Sequence, residues 1–577
     1  MSSQSSPVDK DSIPLEDLNK LIDNTKPDAK KRPRDFDDVL EIVGSTSTYQ
    51  RFILYGILLP LSIFEALFSI NLWFLMDEPN HWCNVPNNGS KPENLDSWKN
   101  LTIPREENGD FSKCKMFDSN HSIISCTNGW EYDFETVNYQ SIVTDYDWVC
   151  DKSQQATWVY TGTNIGRAVS TFILGYLADK VGRKPVFIIT LLLFSVGRAV
   201  SLFFAHDVWI FVLLAVISGM AAPMFAISCN TIALELSGKD FRAWIYAATW
   251  MAVAIGLAVV PSLVYVTGNW FVLGWTTILI GSLSYLLLPW MPESPRWLLS
   301  VGKIEEVQKI LKNIAKWNGT TDKINDDEMF EMLREAEASQ KEQRMKEGTG
   351  VLKLFSTRRL AVRTLIITLA WVLSGLVSHG IQLNSLNLHG HRFLNFSLIV
   401  LMELPGGFFG GILIDKFGRR WMQVTFYFVC FISCTVAAYF SAIGSSDDIV
   451  STLVVIICAN VAKLAITMSF LATYLQAMEL FPTPFRTTGS GFASTISSFT
   501  IILVPYIVFT GKSSMTTPWI VSAIISFAGM VCTSFMPETV NHNLPETLEE
   551  AENFGKGRKF WSFQLTGPNK SPKKNEN

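Results

Sequence analysis

Charge is the scarcest commodity in this chain: of 577 residues only 17% are Asp, Glu, Lys or Arg, against roughly a quarter in an average soluble domain. Histidine is rare at seven, and no metal-ligand cluster or nucleophile–base arrangement emerges, so an enzyme is the least favoured reading. No Gly-x-x-x-x-Gly-Lys-Ser/Thr loop is present, which leaves direct ATP use unsupported. The 48 basic residues do not exceed the 52 acidic ones, so a basic nucleic-acid face is not expected. The first fifty residues are polar, and no cleavable secretory leader is expected ahead of the first apolar run.

What is present is apolar length. Hydrophobic residues make up 48% of the chain, in uncharged runs of about 20 residues, the length that crosses a bilayer as a helix. A β-barrel would instead show alternating segments of about ten residues. The runs predict twelve helical spans, near 52–76, 155–177, 185–205, 208–234, 243–267 and 270–290, then 361–381, 394–414, 421–441, 450–476, 488–510 and 517–536. The lipid bilayer is therefore the chain's principal partner.

Lys and Arg cluster in alternate short loops: Lys180, Arg183 and Lys184; Lys239 and Arg242; Lys416, Arg419 and Arg420; Arg486. The positive-inside rule places those loops and both termini in the cytoplasm, and the long loop 77–154 outside. That loop carries Cys83, Cys114, Cys126 and Cys150, enough for two disulfides in any of three connectivities. It also carries Asn-x-Ser/Thr acceptors at Asn88, Asn100 and Asn120, an expected glycosylation pattern. Asn318 has the same triplet on the cytoplasmic side and is expected to stay unmodified. The expected organisation is a cytoplasmic segment 1–50, a six-helix half 51–299, a helical linker 300–360, a second half 361–538 and a tail 539–577. The ends, 1–45 and 540–577, read as disordered or surface segments, and the linker as solvated.

Three motifs occur twice. Gly175-Tyr-Leu-Ala-Asp-Lys-Val-Gly-Arg-Lys follows span 2, and Gly411-Ile-Leu-Ile-Asp-Lys-Phe-Gly-Arg-Arg follows span 8. Glu235-Leu236 precedes Arg242 as Glu479-Leu480 precedes Arg486, and Pro292-Glu-Ser closes span 6 as Pro537-Glu-Thr closes span 12. A repeated six-helix unit around a central pathway is a transporter plan. The loop motifs resemble the hallmark of the major facilitator superfamily. Pro292-Glu-Ser-Pro-Arg-Trp-Leu-Leu299, Glu479-Leu-Phe-Pro-Thr and Leu544-Pro-Glu-Thr-Leu-Glu-Glu-Ala-Glu-Asn553, with the cysteine-bearing loop, resemble its organic cation, carnitine and organic anion transporters (solute carrier family 22-like). The resemblance implies an all-α, twelve-helix major facilitator fold and a plasma-membrane protein. It also implies a breakable cytoplasmic latch of Asp179, Arg183, Glu235, Arg242, Glu293 and Arg296, mirrored by Asp415, Arg419, Glu479 and Arg486, with Asp179 docking on the start of span 11.

Ions inside the spans carry more information, because each costs about 2.5–3.5 kcal/mol at mid-helix unless partnered or hydrated. They are Glu65, Arg167, Arg198, Glu403 and Lys463, with His379 in the outer half of span 7. Structural pairing, such as Glu65 with Arg167 or Arg198, is the expectation for Arg198; substrate contact is the expectation for Glu403 and Lys463. Trp371, Phe470 and Tyr474 are candidate aromatic faces for an ammonium group, with Phe64 and Tyr506 beside them. Where cation carriers of the family place an aspartate in span 11, and carnitine and anion carriers an arginine, this chain has Ser498, beside Ser497 and Thr500. The resulting expectation is transport of small organic cations or carnitine-like zwitterions. The alternatives are an organic anion carrier and a non-transporting receptor on the same fold. No cofactor is expected; Glu65 or Glu403 could serve a coupling ion, Na⁺ or H⁺. Substrate identity and oligomeric state are not legible in the residues.

Overall fold

The computed structural model describes residues 36–85, 95–105, 111–118, 121–134, 139–323, 325–347, 351–444, 448–481, 485–512, 514–539 and 548–554. Among the described residues eleven helices are long and apolar enough to cross a membrane: Thr48–Leu75, Arg183–Phe203, Val208–Glu235, Trp244–Thr267, Trp270–Trp290, Arg358–Asn387, Arg392–Phe417, Arg419–Ile443, Ile449–Leu480, Thr488–Phe509 and Thr517–Ser534. They coincide with the predicted spans 1 and 3–12. Predicted span 2 is the helix Gln154–Val181, 28 residues long and so about 42 Å. Its Thr, Gly and Asn content and Arg167 keep it out of the apolar set. Two six-helix halves result.

Several spans are interrupted where the sequence removes a backbone donor or side-chain bulk. Span 8 runs as Arg392–Leu401 and then Glu403–Phe417; Pro405 follows the break and has no N–H to offer the preceding turn. Span 11 divides into Arg486–Thr500, a 3-10 turn Ile501–Leu503 and Val504–Phe509 around Pro505. Close helix crossings use glycine: a Cβ on Gly166 would meet the Val216 carbonyl at 2.1 Å, and one on Gly219 the Thr163 carbonyl at 2.4 Å, locking spans 2 and 4 together.

The loop after span 1 forms one face of the molecule. Strands His81–Cys83 and Trp130–Tyr132 pair antiparallel, as do Lys115–Phe117 and Ile123–Ser125. Disulfides Cys83–Cys126 and Cys114–Cys150 select one of the three connectivities. Asn100 is exposed there, while Asn88 and Asn120 lie outside the described residues.

On the opposite, linker face, helices Ile304–Asn318 and Asp326–Glu347 pack with a helix of the N-terminal segment, Phe36–Val43. Two expectations are corrected here. Residues 36–43 are a packed amphipathic helix, with Phe36, Val39, Leu40 and Val43 at the core and Asp38 and Glu41 exposed. The linker is not merely solvated, because its apolar side covers that helix. Asn318 fastens the arrangement: its side chain donates to the carbonyls of Val43 and Gly44 and accepts from the Tyr49 N–H at 2.9 Å. At the other end of the chain, the short helix Leu548–Asn553 is not a free tail, since Arg363 of span 7 donates to the carbonyls of Ala551 and Phe554.

Candidate substrate pathway

The centre of the site is an ion pair in the second half. Lys463 is fully buried (0% exposed) in span 10, and its Nζ lies 2.8 Å from Glu403 Oε1. The same ammonium donates to Ser378 Oγ at 2.9 Å and to Gln382 Oε1 at 3.3 Å. An ammonium has three protons to place, and three acceptors receive them. Glu403 opens the second half-helix of span 8, where the exposed N–H groups favour a carboxylate by about 0.3–1 kcal/mol. The interruption of span 8 thus sets the acid at a helix start, and one turn of span 7 completes the basic partner's shell. Ser378 and Gln382 were not singled out from the sequence; their signal is a polar pair at i and i+4, flanking His379 in the outer half of span 7.

His379, between them in sequence, hydrogen-bonds through Nδ1 to the Gly375 carbonyl at 3.0 Å. Across the gap in the first half, Glu65 accepts from Ser69 Oγ at 2.7 Å, with Arg167 in electrostatic reach of both Glu65 and His379. Glu65 and Arg167 do not close into an ion pair among the described residues. Arg198 has no carboxylate partner there either, and its expected structural pairing is corrected. Ser498 returns its hydroxyl to the Ser494 carbonyl at 3.0 Å. Its neighbour Ser497 is the one that faces span 7, reaching the Trp371 carbonyl at 3.4 Å.

Three of the predicted aromatics gather between the ion pair and the linker face. Trp371 meets Phe470 at 5.6 Å and Tyr474 at 5.8 Å between ring centres. Span 5 adds two rings from the first half: Tyr246 stacks on Tyr474 at 5.0 Å, and Trp250 meets Phe470 at 6.4 Å. Tyr506 stands apart with nearly half its surface exposed.

The halves also meet at the loop face. Phe74 packs on Phe393 and Phe396, and Arg392 of span 8 bonds Asp77 at 3.3 Å and the Glu78 carbonyl at 2.6 Å. Among the described residues this is the ion pair that joins one half to the other.

The repeated motifs at the linker face are bonded within each half. Glu293 accepts from the backbone N–H groups of Arg183 and Lys184, and Glu538 from those of Arg419 and Arg420. Glu235 accepts from Ser294, and Glu479 pairs with Arg419 at 3.1 Å. Arg242 and Arg296 both bond Asp37, a residue the sequence did not single out. Among the described residues Asp179 has no contact with span 11: it is 75% exposed and pairs with Arg183 at 3.1 Å, as Asp415 pairs with Arg419 at 3.0 Å. The Arg486 side chain lies outside the described residues. Among the described residues the halves are joined by an ion pair at the loop face, while the motif ion pairs at the linker face lie within each half.

A family model described as sugar (and other) transporter matches residues 120–551. The chain belongs to that family. It is a transporter of the major facilitator superfamily and not an enzyme, and its relatives fall in the group its motifs resemble. It is 30% identical to the organic cation transporter 1 of Caenorhabditis elegans, across 91% of this chain and 90% of that one. It is 29% identical to the carcinine transporter of Drosophila melanogaster, across 96% and 85%, and 28% identical to the human organic cation/carnitine transporter 2, across 90% and 94%. In fold it is similar to the partially occluded inward-open xylose transporter XylE from E. coli, with TM-score 0.58 and 15% identity over 85% of this chain and 99% of that one.

Proposed function

We propose that this transporter carries small organic cations or carnitine-like zwitterions across the plasma membrane by alternating access. The observation that carries the reading is the Glu403–Lys463 pair, one acid and one base at mid-depth in the membrane. A substrate ammonium competes with Lys463 for Glu403, backed by the faces of Trp371, Phe470 and Tyr474. The displaced Lys463 is then available to a substrate carboxylate, which favours an amine bearing an acid over a simple anion. The relatives named for organic cations, carnitine and carcinine support the same class.

In this reading the loop face is extracellular, because disulfides and Asn-x-Ser/Thr acceptors belong to an oxidising, glycosylating compartment, and both termini are cytoplasmic. Breaking and remaking the Asp179, Glu235 and Glu293 contacts at the cytoplasmic face accompanies each cycle. Either the membrane potential, at about 2.3 kcal/mol per charge per 100 mV, or a Na⁺ or H⁺ taken by Glu65 drives uptake.

The test is uptake into expressing cells of a labelled quaternary ammonium cation, carnitine and an aryl carboxylate, with and without Na⁺. Glu403→Gln is expected to lower uptake of either of the first two at least about tenfold with surface expression retained. Uptake of the carboxylate alone would move the assignment to the anion carriers.

A further inference from the structure

Arg198 lies in span 3 with 2% of its surface exposed, and among the described residues its Nε and Nη1 have no hydrogen-bond partner. Its described neighbour of note is the Phe194 ring, 5.8 Å from the guanidinium carbon. A guanidinium stays protonated under all ordinary conditions, and a buried charge without a counter-ion costs several kcal/mol. None of the described residues supplies a counter-charge to it.

The surroundings can be read level by level. Phe68 of span 1 stacks on Phe194 at 3.8 Å, and its ring fills the space a side chain at Gly281 of span 6 would need. Those three positions share one level. One helical turn nearer the loop face, the same three spans present Asn71, Arg198 and Thr277. The Asn71 Nδ2 donates to Thr277 Oγ1 at 2.8 Å, and Thr277 Oγ1 in turn donates to the Gly274 carbonyl at 2.9 Å. This fixes the amide orientation and leaves Asn71 Oδ1 without a donor. Orphaned cationic donors and an orphaned acceptor therefore occupy one buried level. Glu65, the acid in span 1, is six residues away, about 9 Å along the helix, and is engaged with Ser69.

We propose that this level is a binding site for a small monovalent anion of the halide class, held by the Arg198 N–H groups, with a water linking it to Asn71 Oδ1. The anion supplies the missing negative charge, and the water supplies the donor that an anion cannot. Span 3 packs on spans 2, 4 and 6 of its own half, so the site is separate from the Glu403–Lys463 centre. Its effect is to hold spans 1, 3 and 6 together as one body.

The experiment uses the purified full chain in lipid nanodiscs, melted in sodium gluconate that is replaced stepwise by sodium chloride or bromide at constant ionic strength. A ligand that binds only the folded state raises the melting temperature with a saturating dependence. The wild type is expected to gain several degrees with a half-point in the millimolar range, and Arg198→Gln to lose that dependence. A flat or linear, non-saturating response in the wild type would overturn the site, and so would a saturating response unchanged in Arg198→Gln. Should that variant not fold, Arg198→Lys keeps the charge but loses the fork of donors. Its half-point is expected to rise at least about tenfold, and an unchanged half-point overturns the proposal.

Discussion

Asp37 accepts from two arginines, Arg242 and Arg296, that belong to different repeated motifs of the first half. Its carboxylate is buried while both partners are partly exposed, so the pairing is screened less than a surface bridge and more than a core one. Asp37→Ala is expected to cost about 2 kcal/mol, the scale of a hydrogen-bonded charge, read as a lowered melting temperature of the purified protein. The arginines were legible in the sequence because their motifs recur; the acid was not, since it precedes span 1 by a short polar stretch without periodicity. Lys463 shows the same asymmetry. A lysine in an apolar run stands out from composition alone, but the choice of Ser378 and Gln382 as its acceptors depends on how spans 7 and 10 are rotated. Ser498 marks the limit of motif alignment: one position along a helix is about 100° of rotation, and Ser497 is the residue that faces span 7.

Elements were easier to read than their partners. Long apolar runs set eleven of the helices, span 2 being more polar, and the prolines at 405 and 505 mark the interruptions of spans 8 and 11. The helix Phe36–Val43 escaped because eight residues are too few to separate an amphipathic turn from a polar leader, and its stability comes from packing on the linker. In the loop, four cysteines announced two disulfides, but strand pairing decided between the connectivities. The Cys83–Cys126 bridge closes 43 residues, a constraint worth about 4 kcal/mol in the chain-entropy model. Replacing both cysteines by serine is expected to reduce surface expression severalfold, measured by biotinylation of intact cells. Substitution of Cys458, a free thiol within span 10, serves as the control and should leave it unchanged.

As a whole the molecule is closed at one face, and the Asp77–Arg392 contact is where that closure can be titrated. Burial in the seam pushes the Asp77 carboxyl above its ordinary range, more than the facing Arg392 pulls it down, and neighbouring Glu78 adds to the rise. A raised value means the sealed state holds the proton more tightly than an open, hydrated one, so falling pH favours sealing and rising pH weakens it. Arg392→Gln removes the attraction and leaves a buried anion. It is expected to open the loop face at neutral pH and to reseal as the medium is acidified. The readout is alkylation by an impermeant maleimide of a cysteine placed at Thr157, buried beside the seam; a rate independent of pH and of the substitution would refute it. Span 2 carries a consequence of another kind. Its 28 residues hold Arg167 and fall outside the set of helices apolar enough to cross a membrane by composition alone, and a mid-helix arginine disfavours insertion by about 2.5–3.5 kcal/mol. Span 2 is therefore expected to insert poorly when tested alone in a membrane-insertion assay, and to insert efficiently when followed by span 4, whose backbone its glycines touch.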